Sequence, residues 1–145
     1  MSLDKKLIDQ FIDITSLAAI ACYQHIGKEN KLLADKAATD EMRKNINKLN
    51  IQGEVVIGEG ELDDAPMLFI GEKLGTGEGP QLDIAVDPLE GTNFAAKNLP
   101  GALSVLAVSQ KGNLFNAPET YMDKLAVGRD VPYDATDLDY PLEKN

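Results

Sequence analysis

The sequence predicts an α/β fold, and three observations predict it. Two long N-terminal stretches repeat their apolar residues at helical spacing, short aliphatic runs follow from residue 55 onward, and turns bearing glycine and proline separate those runs. Helices therefore come first and strands after.

From about Asp4 to Ile26 the apolar residues Leu7, Ile8, Phe11, Ile14, Leu17, Ala18 and Ala21 mark one inward face of a long amphipathic helix. Gly27 is its expected stop, because glycine accepts the left-handed conformation that closes helices. His25 is placed in the last turn, beside the negative end of the helix dipole, and Cys22 reads as a small buried residue. A second helix is expected from about Lys31 to Leu49, with Ala34, Ala38, Met42, Ile46 and Leu49 as its buried stripe. Asp35 borders that stripe, where an aspartate ordinarily faces water or makes a local hydrogen bond. Arg43, Lys44 and Lys48 read as a solvated cationic end.

The pattern then becomes extended. Val55 to Ile57 is a β-branched run, after which Gly58 and Gly60 let the backbone turn around Glu59. Met67 to Ile70 is apolar, and GEKLGTGEGP (71–80) reads as a turn-rich loop. Leu82 to Val86 is the next strand, followed by a DPLEGT turn and a short helix with Thr92 as N-cap. Backbone N–H groups at such a start favour phosphate. Ala102 to Val108 reads as a buried strand, and the Lys111-Gly112-Asn113 turn into Leu114-Phe115 suggests a hairpin. Within Ala117 to Gly128, Lys124 to Val127 is the most strand-like part. From Arg129 the chain is polar, acidic and without periodicity.

At 145 residues, 43% hydrophobic and 26% charged, the chain can bury a proper core. No apolar run approaches the roughly 20 residues of a membrane span, the first residues lack the apolar core of a secretory signal, and one cysteine cannot form an internal disulfide. The cytoplasm is the expected compartment. A formal charge of −10 without a basic stripe argues against nucleic acid as partner. The glycines match neither phosphate-loop spacing, and no EF-hand loop is present.

The informative stretch is Glu54 to Thr92, which holds ten carboxylates against one basic side chain, Lys73. Two apolar runs each lead into an acidic, glycine-bearing turn, GEGELDD and DPLEGT. Hard cations such as magnesium or manganese prefer carboxylate oxygen. Asp87 and Glu90, three residues apart, can converge on one ion or bridge two, and Glu59 can enter from the neighbouring loop. Ions held there could polarise phosphoryl oxygens and lower the pKa of bound water, with Asp63 or Asp64 orienting or deprotonating it. On spacing alone, exposed acidic turns explain the pattern about equally well.

The run VVIGEGELDDAPMLFIGEKLGTGEG followed by DIAVDPLEGT resembles the class II fructose-1,6-bisphosphatases of bacteria, some of which also hydrolyse sedoheptulose 1,7-bisphosphate. LADKAATDEMR, ALSVLAVSQKG and NAPETYMDKLAVG extend the resemblance across the chain. It implies membership of the lithium-sensitive, metal-dependent sugar phosphatase superfamily. The implied fold is a layered αβαβα sandwich, of which this chain supplies the N-terminal half, two helices packed on a mixed β-sheet. The implied reaction is hydrolysis of the 1-phosphate, in gluconeogenesis or the Calvin cycle, using two or more Mn²⁺ or Mg²⁺ ions. Asp35, Glu59, Asp87 and Glu90 then look like metal ligands, Glu90, Gly91, Thr92 and Tyr121 like substrate contacts, and Asp63 and Thr92 like participants in turnover. The resemblance further implies a homo-oligomer in the full-length form.

Two departures accompany it. Lys36 stands where the family pattern leads one to expect glycine, and family enzymes are longer, their second half supplying a further acidic ligand and basic residues for the distal phosphate. Only Arg43 and Arg129 are arginines here. Residues 1–130 are thus expected to form a sugar-phosphatase-like domain, and 131–145 a linker or extended terminus toward a missing half. Two other readings are a truncated, non-catalytic module that binds metal or associates with another chain, and an inositol-monophosphatase-like enzyme, where D-P-x-[DE]-G-T recurs.

Overall fold

The computed structural model describes residues 3–59, 67–115 and 122–144. Two helices, α1 (Lys5–Tyr23) and α2 (Lys31–Ile46), precede β1 (Gln52–Ile57), β2 (Lys73–Leu74), β3 (Gln81–Glu90), the short α3 (Thr92–Ala96) and β4 (Leu103–Gln110). The four strands form one mixed sheet in the order β2-β1-β3-β4, with β1 and β3 parallel and both outer pairs antiparallel. The helix pair packs on one face of this sheet, over β3 and β4. This is the α/β architecture expected, with helices before strands.

The core follows from the two periodicities. Phe11, Ile14, Ala18 and Cys22 of α1 meet Ala34, Ala38, Met42 and Ile46 of α2, and both rows rest on Val55, Leu82, Ile84 and Val86 from alternate strand positions. Each large side chain removed from water contributes about 1.5–3 kcal/mol. The α1 stripe is narrower than its sequence suggests, since Ile8 and Leu17 remain 43% and 39% exposed. Asn30 caps α2 through its side-chain oxygen, which accepts from the Leu33 N–H at 3.1 Å.

Several expectations are corrected. α1 ends at Tyr23, so His25 lies in the turns beyond the helix, and Gly27 (φ 73°) comes later still, donating to the Ala95 carbonyl. α2 ends at Ile46, although Leu49 is buried as foreseen. β2 falls inside the predicted 71–80 loop, where its backbone partner on β1 outweighs the glycine-rich composition. DPLE is not a free turn but the end of β3, which keeps pairing until Glu90 meets Leu103. The N-cap of α3 is Gly91 (φ 79°), with Thr92 its first helical residue. The predicted hairpin strand at Leu114-Phe115 is absent, because Asp83 competes for the same backbone. Its buried carboxylate accepts from the N–H groups of Gly112, Asn113 and Leu114 at 2.6, 3.1 and 3.3 Å. Lys124 to Val127 carries no strand, and Leu125 and Val127 are exposed.

Among the described residues, no helix packs on the face of the sheet away from α1 and α2. Along β4, Leu106 and Val108 pack toward the core while Leu103, Val105 and Ala107 are exposed. No helix among the described residues is long and apolar enough to cross a membrane.

Candidate metal and phosphate site

The carboxylates gather where β1 and β3, running in parallel, reach their C-terminal ends. Two local irregularities aim them. The β1–β3 register shifts between Val55 and Ile57, and the β3–β4 register shifts between Asp87 and Glu90. Asp87 pairs with Val105 and Glu90 with Leu103, three residues against two, so the extra residue brings both acids to the same side of the strand. Pro88 and Leu89 inside this bulge are buried, and the Leu89 N–H donates to Asp87 Oδ1 at 3.1 Å.

Glu59 arrives from β1 through Gly58. A Cβ at Gly58 would stand 2.2 Å from the Leu68 carbonyl oxygen, so only glycine fits. The Glu59 N–H then donates to that same oxygen at 3.0 Å, pinning the loop on its return. Arg43 secures the far side of the loop. Its Nε donates to Glu72 at 2.7 Å, and Nη2 donates to the Met67 carbonyl at 2.5 Å and to Glu72 at 3.2 Å. Its pair with Glu72 is 26% and 13% exposed, so Arg43 is a half-buried clamp and not the solvated cation its position in α2 suggested. No spacing rule in the sequence would have paired it with Glu72.

Asp35 comes from α2 and is 7% exposed, which corrects the expectation that it faces water. Burial raises its pKa above the usual aspartate range. Glu59 is pushed up to about 8, first by burial, then by the negative charges of Asp35 and Asp87, a hydrogen bond shared with Asp87, and the charge of Glu90. Glu90, exposed at the rim, is raised chiefly by its own hydrogen bond to Asp87. All four predicted ligands are therefore neighbours, with Asp87 between Glu59 and Glu90. Cys22, which the sequence offered only as packing, lies close enough for Asp35 to help burial in raising its thiol.

The donor set fits a hard divalent cation. Asp35 Oδ1 and Glu59 Oε2 are buried oxygens with no hydrogen-bond partner, an arrangement that is costly unless a cation or donor meets them. Among the described residues no three His, Cys, Asp or Glu side chains already stand at ligand spacing around one point. Lys36 does not compete: its Nζ donates to Asp40 at 2.6 Å, one turn along the helix. Gly91 and Thr92 are half-buried beside Glu90. Asp63 and Tyr121 lie outside the described residues.

A family profile described as "Bacterial fructose-1,6-bisphosphatase, glpX-encoded" matches residues 5–145. The chain belongs to this family. It is 54% identical over 124 residues to the D-fructose 1,6-bisphosphatase class 2/sedoheptulose 1,7-bisphosphatase of Synechococcus sp. (strain CC9902), covering 86% of this chain and 37% of that protein. It is 50% identical over 141 residues to fructose-1,6-bisphosphatase 1 class 2 of Escherichia coli (strain K12), covering 97% and 42%. The chain thus spans about two fifths of the length of these relatives. Among solved structures, an extragenic suppressor from Pyrococcus furiosus superposes with a TM-score of 0.48 at 24% identity, covering 74% of this chain and 41% of its own.

Proposed function

We propose that this chain carries the metal- and phosphate-binding portion of a class 2 fructose-1,6-bisphosphatase. The reaction is hydrolysis of the 1-phosphate of fructose 1,6-bisphosphate, and of sedoheptulose 1,7-bisphosphate if the Synechococcus likeness extends to substrate. The observation that carries this reading is the pair of buried, unpartnered oxygens on Asp35 and Glu59 beside Asp87, in a chain of this family.

Asp35 and Glu59 would hold one Mn²⁺ or Mg²⁺ ion, and Asp87 and Glu90 another. Bound there, such ions supply charge for phosphoryl oxygens and a more acidic water. The chain's own part is positional. The β3 bulge presents Asp87 and Glu90 together, the Gly58 turn sets Glu59 against them, and Gly91 and Thr92 offer backbone and hydroxyl groups to the 1-phosphate at the rim. Asp63 is assigned to orienting the attacking water and Tyr121 to the sugar phosphate. Residues 1–130 form the proposed phosphatase-like unit and 131–145 its connection onward. The full-length form is proposed to be a cytoplasmic homo-oligomer.

Phosphate release from fructose 1,6-bisphosphate, with Mn²⁺ or Mg²⁺, tests the assignment. Activity is expected to fall by at least about 100-fold in Asp87→Ala. Turnover that persisted in the Asp87→Ala/Glu90→Ala double variant would remove both residues from the mechanism.

A further inference from the structure

Along α2 three polar side chains, Asp35, Thr39 and Arg43, follow one another at four-residue spacing and so share one row of the helix. The outer two already have tasks. Asp35 stands beside Glu59 in the carboxylate cluster, and Arg43 holds the returning loop through Glu72 and the Met67 carbonyl. Thr39, between them, is 0% exposed, and its Oγ1 has no hydrogen-bond partner. A hydroxyl inside a helix is ordinarily satisfied by donating to a carbonyl one turn back. Thr15 and Ser16 of α1 do so, both to the Ile12 carbonyl, at 2.9 and 3.0 Å. Thr39 makes no such bond. Buried polar groups without partners are costly, so an orphaned hydroxyl at this position calls for a partner that arrives later.

Helix geometry says where that partner lies. Side chains lean toward the helix N-terminus, so Thr39 lies over the turn that carries Asp35. The two Cβ atoms of such a pair stand about 5–6 Å apart, a gap that a hydroxyl and a carboxylate can bridge by side-chain rotation. Asp35 offers the matching acceptor, since its Oδ1 is buried and unpartnered as well. Of the orphaned oxygens on Asp35, Thr39 and Glu59, only the hydroxyl can donate once the carboxylates are ionised.

We propose that Thr39 is a positioning residue for the cation at Asp35: its hydroxyl donates to the Asp35 carboxylate and holds it in the orientation that meets the ion. The proposal rests on Asp35 being a ligand and adds a residue that touches neither ion nor substrate. Metal-bound carboxylates are themselves held by hydrogen bonds, and losing such a support weakens the site. One row of α2 would then supply a ligand, its support and the clamp on the neighbouring loop.

Calorimetric titration of this chain with Mn²⁺, without substrate, tests the role through two variants. Thr39→Val keeps the shape and removes the hydroxyl. It should weaken Mn²⁺ binding by about 10-fold, yet melt no lower than the parent when metal-free, because an unpartnered buried polar group is gone. Thr39→Ser keeps the hydroxyl and loses a methyl group. It should melt lower and bind Mn²⁺ as tightly as the parent. A threonine that only packs would give the reverse order. In the Asp35→Asn background, Thr39→Val should cost no further affinity. Parent-like binding by Thr39→Val, equal weakening by Thr39→Ser, or an additive loss in the double variant would overturn the proposal, as would a parent chain that takes up no Mn²⁺. Phosphate release separates the two readings: binding that responds to Thr39 in this way without turnover sustains the positioning role and removes the hydrolase assignment.

Discussion

Glu59 follows the end of β1 and Asp87 lies near the end of the parallel strand β3, and burial of Glu59, with the negative charges of Asp35 and Asp87 beside it, pushes its carboxyl up to about 8. Glu59 therefore keeps a proton near neutral pH. A cation and that proton therefore compete for the same oxygens.

The first prediction is a pH dependence of stability in metal-free protein. Glu59 has a higher pKa folded than unfolded, so the folded state binds more protons between the two values. Its favourable contribution is complete below about 4.5 and is lost as pH rises through about 8. Thermal melts between pH 5 and 9 should show that decline, Glu59→Gln should flatten it, and millimolar Mn²⁺ should offset it at the alkaline end. A metal-free melting temperature rising steadily over this range would contradict the assignment.

Asp35→Asn should separate stability from binding. Replacing a buried, unpartnered carboxylate by a neutral amide should leave metal-free protein as stable as before or more so. Mn²⁺ affinity by calorimetry should drop by about 10-fold or more. An unchanged affinity would take Asp35 out of the ligand set.

Arg43→Ala removes donors from Glu72 and from the Met67 carbonyl and leaves a mostly buried carboxylate unpaired. Destabilisation of about 2–4 kcal/mol by urea unfolding is expected. Arg43→Lys should recover only part of this, since an ammonium cannot reproduce the forked geometry. Equal stability of the alanine variant and the parent would mean the clamp carries no load.

Gly58→Ala places a methyl group 2.2 Å from the Leu68 oxygen, a contact the backbone can relieve only by moving. We expect a loss of about 2 kcal/mol or more, together with weakened Mn²⁺ binding, because Glu59 is the next residue. Loss of stability with metal affinity intact would show that Glu59 is positioned by other means.

Much of this was readable in advance wherever one periodicity dominated. The two helices, the strand runs at Val55 and Ile84 and the burial of Met42 and Ile46 follow from local pattern alone. The four ligand candidates came from motif and family resemblance, and the structure makes them neighbours. What escaped depended on partners distant in sequence. β2 exists only because β1 offers it an edge, and Arg43 is buried only because Glu72 returns to it. Leu114 forms no hairpin strand because Asp83, thirty-one residues earlier, takes its N–H. Asp35 could not be placed from spacing, since its neighbours Glu59 and Cys22 come from other elements of the fold.

The bulge between Asp87 and Glu90 has a further consequence for how this region can vary. In a regular strand, residues three apart point to opposite faces, so the pair works together only because one residue is unmatched on β4. The constraint is arithmetic before it is chemical. Pro88 and Leu89 can be exchanged for other residues at a graded cost, but adding or removing a single residue between the two acids would reverse the facing of one of them. Length in this four-residue segment should therefore be fixed more strictly than composition.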